Sequence, residues 1–249
     1  MVRVQSQPRA EGAAPLSGEA DLVDTAPPRL DRSRQVAIQL YDWLRLAILD
    51  LRLKPGAVLS RSAIADQLGV SSTPVRDALG RLADEALVEV FPQHATRVAL
   101  IDLALVNQAH FLRRSIELEV VRTVTGNRNP DLIERLGASL ARQRAILGIG
   151  DLTGFTAEDQ AFHHLMYEGA NMGELWSLVR SRSGHLDRLR RLHLPIAGKA
   201  AAVLQDHERI VAAIVAGDAD AAYQAVRRHL AGTLANADDI RRRHPDLIR

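Results

Sequence analysis

The chain has no cysteine among its 249 residues, which removes disulfides and thiolate metal ligands together. Aromatic residues make up only 4%, so a core must come from aliphatic side chains, and the abundant Leu, Ala and Arg suit helices. No uninterrupted apolar run approaches the length needed to span a bilayer. The N-terminus also lacks the apolar stretch of a secretory signal. A soluble, cytoplasmic protein without a membrane partner is the expectation. Strong charge of one sign is missing as well: the chain carries +2 overall, with −2 in residues 1–31 and +2 in each of 32–100 and 101–249. Any contact with nucleic acid must therefore depend on where a few arginines sit rather than on a broadly basic surface.

What is present is a strongly punctuated pattern over Leu59–Val98. LSRSAIADQLG gives a Ser60 cap, apolar positions at Ile64, Ala65 and Leu68, and a stop at Gly69. VSSTPVRDALGRLADEALV restarts at once, with Ser71 or Ser72 as cap, Pro74 in the first turn, and Val75, Leu79 and Leu82 on one stripe. LVEVFPQHATRVAL then reads as two short strands around a Pro-Gln-His-Ala turn. A helix–turn–helix with a hairpin wing is a shape for reading duplex DNA, the second helix entering the major groove.

Around this unit the chain divides into three expected parts. Residues 1–31, rich in Pro, Gly, Ala, Ser and acids, read as a flexible tail. Residues 32–100 form the winged unit, opened by a helix from about Ser33 to Asp50, with LKPGAVL as a turn. Residues 101–249 read as helices at about 102–125, 130–148, 151–170, 172–193, 198–216 and 218–242, joined by short Gly-, Asn- and Pro-marked breaks. Such connections favour antiparallel neighbours. The fold class is mainly α: an N-terminal winged helix–turn–helix followed by an all-α antiparallel bundle.

The bundle places ionisable groups on its apolar stripes. Asp159 and His163, four apart, share a face with Phe155, Phe162 and Met166. His207 falls among Val203, Leu204, Val211 and Ile214, and His229 among Ala222, Val226 and Leu230. An aspartate and three histidines aimed into one interior need a common partner, because an unsatisfied buried carboxylate costs several kcal/mol. A divalent metal ion, whether Zn, Ni, Mn or Fe(II), meets that need. Arg113 and Glu117 are flanked by Ala109, Ile116 and Val120 on the first bundle helix. His110, His193 and His244 read as surface or helix-end positions, His164 as facing solvent or another element, and His185 as a position that could face the cavity.

These residues carry a family resemblance. VSSTPVRDALGRLADEALVEV after LSRSAIADQLG resembles the N-terminal domain of GntR-type transcriptional regulators. DxxFH at Asp159–His163, DHERI around His207 and RRHL around His229 resemble the ligand-sensing FCD domain of the FadR subgroup. The resemblance covers about residues 33–235. It implies a homodimeric regulator, not an enzyme, that binds a double-stranded operator with an inverted repeat and senses a small organic acid. It also implies that Asp159, His163, His207 and His229 hold the metal, and that Arg113 contacts the effector; the residue pattern adds His185 as a candidate effector contact. Arg76 and Thr73 would meet bases or phosphates, while Arg61 and the wing residues His94, Thr96 and Arg97 would hold the backbone. The family usually has arginine where this chain has Ser62 and Ser72, and glycine where it has Ala95, which points to a shifted operator sequence or to weaker binding that relies on the wing. Two other readings of the bundle site are a metal-dependent enzyme and a purely structural metal in a DNA-binding regulator.

Overall fold

The computed structural model describes residues 28–31, 33–91 and 95–249, apart from the side chain of Thr233. The expected tail thus lies outside the described residues except for 28–31, and so does His94. Among the described residues, α1 (Val36–Leu49) leads into β1 (Val58–Leu59), α2 (Arg61–Leu68), α3 (Ser72–Asp84), β2 (Val88–Phe91) and β3 (Ala95–Val98). The strands form one antiparallel sheet in the order β1-β3-β2, with Leu59 opposite Thr96 and Thr96 opposite Val90. β1 falls inside the segment expected to be only a turn; two residues are too few for an alternating pattern to show.

Local chemistry sets the helix–turn–helix. Ser60 Oγ accepts from Ala63 N at 3.3 Å and starts α2. Gly69, at φ 61°, ends it in the left-handed conformation. Val70 N then donates to Ala65 O at 3.0 Å, and α3 begins within two residues. Ser71 precedes α3 without a side-chain cap. Leu40, Leu44, Ile48, Ile64, Leu79 and Leu82 make a continuous aliphatic core beneath these elements.

Eight helices follow: α4 (Leu103–Asn127), α5 (Pro130–Gly148), α6 (Leu152–Gly169), α7 (Gly173–Arg182), α8 (Gly184–His193), α9 (Lys199–Ala216), α10 (Ala219–Leu234) and α11 (Ala237–Arg243). α4 packs on α10 and α9, and α5 on α6 and α9, around Val121, Leu136, Phe162, Met166, Ile214 and Val226. No helix among the described residues is long and apolar enough to cross a membrane. Two expected helices are each broken. The stretch 172–193 divides at Ser183, whose Oγ bonds Val179 O at 2.7 Å, and 218–242 divides at residues 235 and 236. A Cβ at Gly184 would lie 2.6 Å from Leu87 Cδ2, so glycine at the start of α8 lets it settle against the winged unit without displacing the Leu87 side chain.

α8 is the seam between the two cores. Arg188, fully buried, donates to Ala99 O at 2.7 Å. His185 Nδ1 accepts from Asp102 N at 3.0 Å, which leaves Nε2 protonated to donate to Ala86 O, also at 3.0 Å. His185 therefore faces the winged unit and not the cavity, which corrects its expected role; its 3% exposure reflects burial at this joint. Burial, reinforced by Arg188, pulls His185 down to about 4. An unfolded histidine titrates near ~6.5, so the unfolded chain takes up this proton first as pH falls. The joint's contribution is complete above that value and drains away toward pH 4. His185→Gln should accordingly destabilise the protein less at pH 4.5 than at pH 7, by about 2 kcal/mol, measured as the difference in unfolding free energy from wild type at each pH. An equal penalty at both values would show that His185 is not held neutral.

Candidate functional site

Two sites emerge, one on each side of the seam. On the winged unit, Arg61 and Ser62 at the start of α2, Ser72, Thr73 and Arg76 on α3, and the strand residues Val90, Phe91 and Thr96 line one concave surface. The Arg76 side chain is 65% exposed, and its nearest acid is the adjacent Asp77 at 3.5 Å. Thr96 forms the floor of this concavity. It is buried between Leu59 and Val90 on neighbouring strands, so it faces the concavity less freely than the helix residues do.

In the bundle, Asp159 and His163 on α6, His207 on α9 and His229 on α10 converge, all four buried and with one ligand atom of each within 4.8 Å of the others. His163 Nε2 lies 3.1 Å from His229 Nε2, and His207 Nε2 lies 3.4 Å from His229 Nε2 and 3.6 Å from Asp159 Oδ1. The Phe162 ring stacks on His207 with centroids 4.1 Å apart and fixes its plane.

The outer nitrogens explain why the inner ones point at each other. Gln143 Oε1 lies 2.7 Å from His207 Nδ1 and can only accept, so Nδ1 carries the hydrogen. Glu117 Oε2 lies 3.0 Å from His163 Nδ1 and imposes the same tautomer. His229 Nδ1 faces Asp206 Oδ2 at 3.9 Å. Nε2 of His163 and of His207 is left with a lone pair, the His229 Nε2 lies against both, and Asp159 Oδ1 is buried without a hydrogen-bond partner. Metal–nitrogen bonds of about 2.0–2.1 Å span ligand edges of roughly 3.3–3.4 Å in a tetrahedron. Three of the separations, 3.1, 3.4 and 3.6 Å, lie close to that spacing, and all four ligand atoms lie within 4.8 Å of one another. The donor set fits a divalent cation of the N- and O-binding kind.

The charges are arranged to keep the cluster in its metal-binding form. Burial would raise the Asp159 carboxyl, but Arg190, 2.8 Å from its Oδ2, with His163 and His207, holds it well below the usual carboxylate range. Burial likewise opposes ionisation of Glu117, and Arg113 and His163 outweigh it, lowering it to about 2. Burial depresses His163 to about 4 and holds His207 well below its ordinary value, the latter with help from His229. Neutral imidazoles and ionised carboxylates are the states a metal requires.

Beside the cluster is a cavity of about 40 Å³ whose wall includes Arg113, Asp159, His229 and Arg190. Arg113 is bonded through Nε to Glu117 Oε1 at 2.6 Å, so its terminal nitrogens remain to face the cavity. His110 and His193 also line the wall. They are 8% and 4% exposed: His110 is not at the surface, and His193 does end its helix as expected but is buried there. The reason is tertiary: His110 Nε2 bonds Leu230 O at 3.0 Å across to α10, and His193 ends α8 against the start of α9. His164 stays partly exposed, stacked on Trp176. Gln143, Arg190 and Lys199 were not singled out by sequence reasoning. Gln143 could have been, since it continues the Leu132, Leu136 and Ser139 face of α5.

The comparisons with known proteins agree with both halves. The model of the family described as bacterial regulatory proteins, gntR family, matches residues 37–98, and the FCD domain matches 108–232. An HTH-type transcriptional regulator from an unstable DNA locus of Streptomyces ambofaciens is 38% identical over 84% of this chain and 88% of its own. The HTH-type transcriptional repressor RspR of Escherichia coli is 28% identical over 89% and 97%. Among solved structures, E. coli McbR/YncC shares the fold at TM-score 0.70 and 23% identity, covering 83% of this chain and 98% of that one. A GntR regulator from Rhodococcus sp. RHA1 does so at 0.69 and 24%, covering 81% and 96%. With a winged helix–turn–helix in front and an FCD helical domain behind, this chain belongs to the GntR family of DNA-binding transcriptional regulators, in its FadR-like subgroup.

Proposed function

We propose that the chain is an effector-controlled regulator: residues 101–249 sense a small organic acid at a metal-assisted site, and residues 32–100 read an operator. The observation that carries the reading is the buried convergence of Asp159, His163, His207 and His229 beside a cavity walled by Arg113 and Arg190. The four side chains would hold a divalent metal, which when bound supplies a Lewis-acidic seat for a carboxylate. Glu117 fixes both the His163 ring and the Arg113 guanidinium, and Gln143 fixes His207, so the site is preorganised by its surroundings. Arg113 presents its remaining N–H groups to a further acidic oxygen.

On the other side, α3 enters the major groove with Thr73 and Arg76 toward base edges and phosphates, while Arg61, Ser62, Ser72, Thr96 and Arg97 meet the backbone. A homodimer would set two such helices on an inverted repeat. Occupancy of the bundle site would bias how the two winged units sit together. Coupling of about 1–3 kcal/mol would change operator affinity roughly 5- to 150-fold.

The test is elemental analysis of the purified protein combined with operator binding in the presence of small carboxylates. Wild type should carry one metal per chain and change its operator affinity on adding acid. His207→Ala should lose both properties while still binding DNA. Full metal content in that variant would show that the ligand set is wrong. A metal whose loss leaves the acid response intact would be structural only.

A further inference from the structure

Facing the metal cluster across the cavity is a group of polar atoms that the reading above leaves unused. Helix α9 begins at Lys199 after Gly198, with no side-chain cap. Lys199 N donates to Ile196 O and Ala202 N to Gly198 O. The N–H groups of Ala200 and Ala201 are left without a partner among the described residues. Lys199 and Val203, one turn apart, both line the cavity, so this first turn forms part of its wall. Beside it, His193 is 4% exposed and also lines the cavity, yet its Nδ1 is buried with no hydrogen-bond partner. Lys199 makes no salt bridge among the described residues; the nearby Asp206 is taken by Arg209 at 2.7 Å.

Charge counting sharpens the point. Asp159 and Glu117 balance Arg190 and Arg113, to which they are bonded. Lys199 is then unmatched, and a divalent metal would add further positive charge to the same small space. A helix N-terminus, an ammonium and an unpartnered imidazole converging on one wall make an anion seat, and it is separate from the metal and Arg113.

We propose that the cavity carries a second anion subsite, made by the uncapped first turn of α9 with Lys199 and His193, so that the effector is a compact dianion rather than a simple monoacid. The cavity's size fits a short ligand: about 40 Å³ is room for about three water molecules. One acidic group would lie toward the metal and Arg113, and the other toward α9. This deepens the metal-assisted reading and rests on it for the first of those two groups.

The experiment is isothermal titration of the full chain, loaded with zinc, using glycolate, malonate, succinate and 2-phosphoglycolate, in wild type, Lys199→Ala and Lys199→Arg. At least one dianion should bind about tenfold or more tighter than glycolate, the size of a charge-assisted hydrogen bond. Lys199→Ala should remove that advantage and leave glycolate unaffected, while Lys199→Arg keeps most of it. A preference for 2-phosphoglycolate over both dicarboxylates identifies the second group as a phosphate, and the reverse order identifies a carboxylate. Equal binding of monoanion and dianions overturns the subsite, as does a Lys199→Ala variant that weakens both alike. Zinc-dependent glycolate binding without dianion preference sinks the subsite alone. Dianion binding that needs Lys199 but survives removal of zinc sinks the metal's role alone. Silence from every ligand overturns both.

Discussion

Arg76→Ala is expected to reduce operator binding by at least about thirtyfold and to leave metal content and thermal midpoint unchanged. The side chain projects from α3 into the concave surface and is 65% exposed, held loosely by Asp77 at 3.5 Å. Such a contact costs nothing in folding and is available to DNA. Its loss should be severe because the positions around it offer little replacement: Ser62 and Ser72 supply hydroxyls where a guanidinium fork would otherwise share the load. An arginine–guanine pair is worth about 1–3 kcal/mol. Counted once per half-site of a two-fold complex, that gives about 2–6 kcal/mol, from roughly thirtyfold to more than ten-thousandfold. Fluorescence anisotropy with a promoter fragment at fixed salt measures it directly. Unimpaired binding would remove α3 from its assigned place in the groove.

The second large effect concerns stability. Stripping the protein with a chelator should lower its thermal midpoint by about 8–16 °C, and one equivalent of metal per chain should restore it. A metal present at about a thousandfold above its dissociation constant stabilises the folded state by about 4 kcal/mol. For a chain of this size each kcal/mol shifts the midpoint by about 2–4 °C. The geometry gives the physical origin. Without a cation, the Nε2 atoms of His163, His207 and His229 face one another at 3.1 and 3.4 Å, and Asp159 Oδ1 has no partner. His207→Ala should start from the lower midpoint and show no response to chelator. A wild-type midpoint indifferent to chelation would mean that these four side chains coexist without a metal.

Much of this was legible in the sequence because it depends on local rules. Ser60, Gly69 and Pro74 mark the helix–turn–helix by capping and turn chemistry, and those signals act over a few residues. Asp159 and His163 sit four apart on one helix, so their shared face follows from the helical repeat alone. His207 and His229 were readable because each interrupts a run of aliphatic residues. The rest depended on how helices dock. His185 lies on a helix with buried residues on both sides, and periodicity cannot say which neighbour each side meets. His193 is legible as a helix end, but its burial is not, because that depends on what packs around the end of α8. Nothing in the sequence around Lys199 marks it. Its meaning comes from what stands opposite it.

α8 touches the bundle cavity and the winged unit directly. Arg190 on one side holds a carboxylate of the metal cluster, and Leu186 and His193 wall the cavity. On the other side Gly184 seats Leu87, and His185 and Arg188 grip Ala86 and Ala99. Ten residues thus act as a stiff lever whose two arms are already engaged. A displacement of α8 at one arm would therefore be carried to the other.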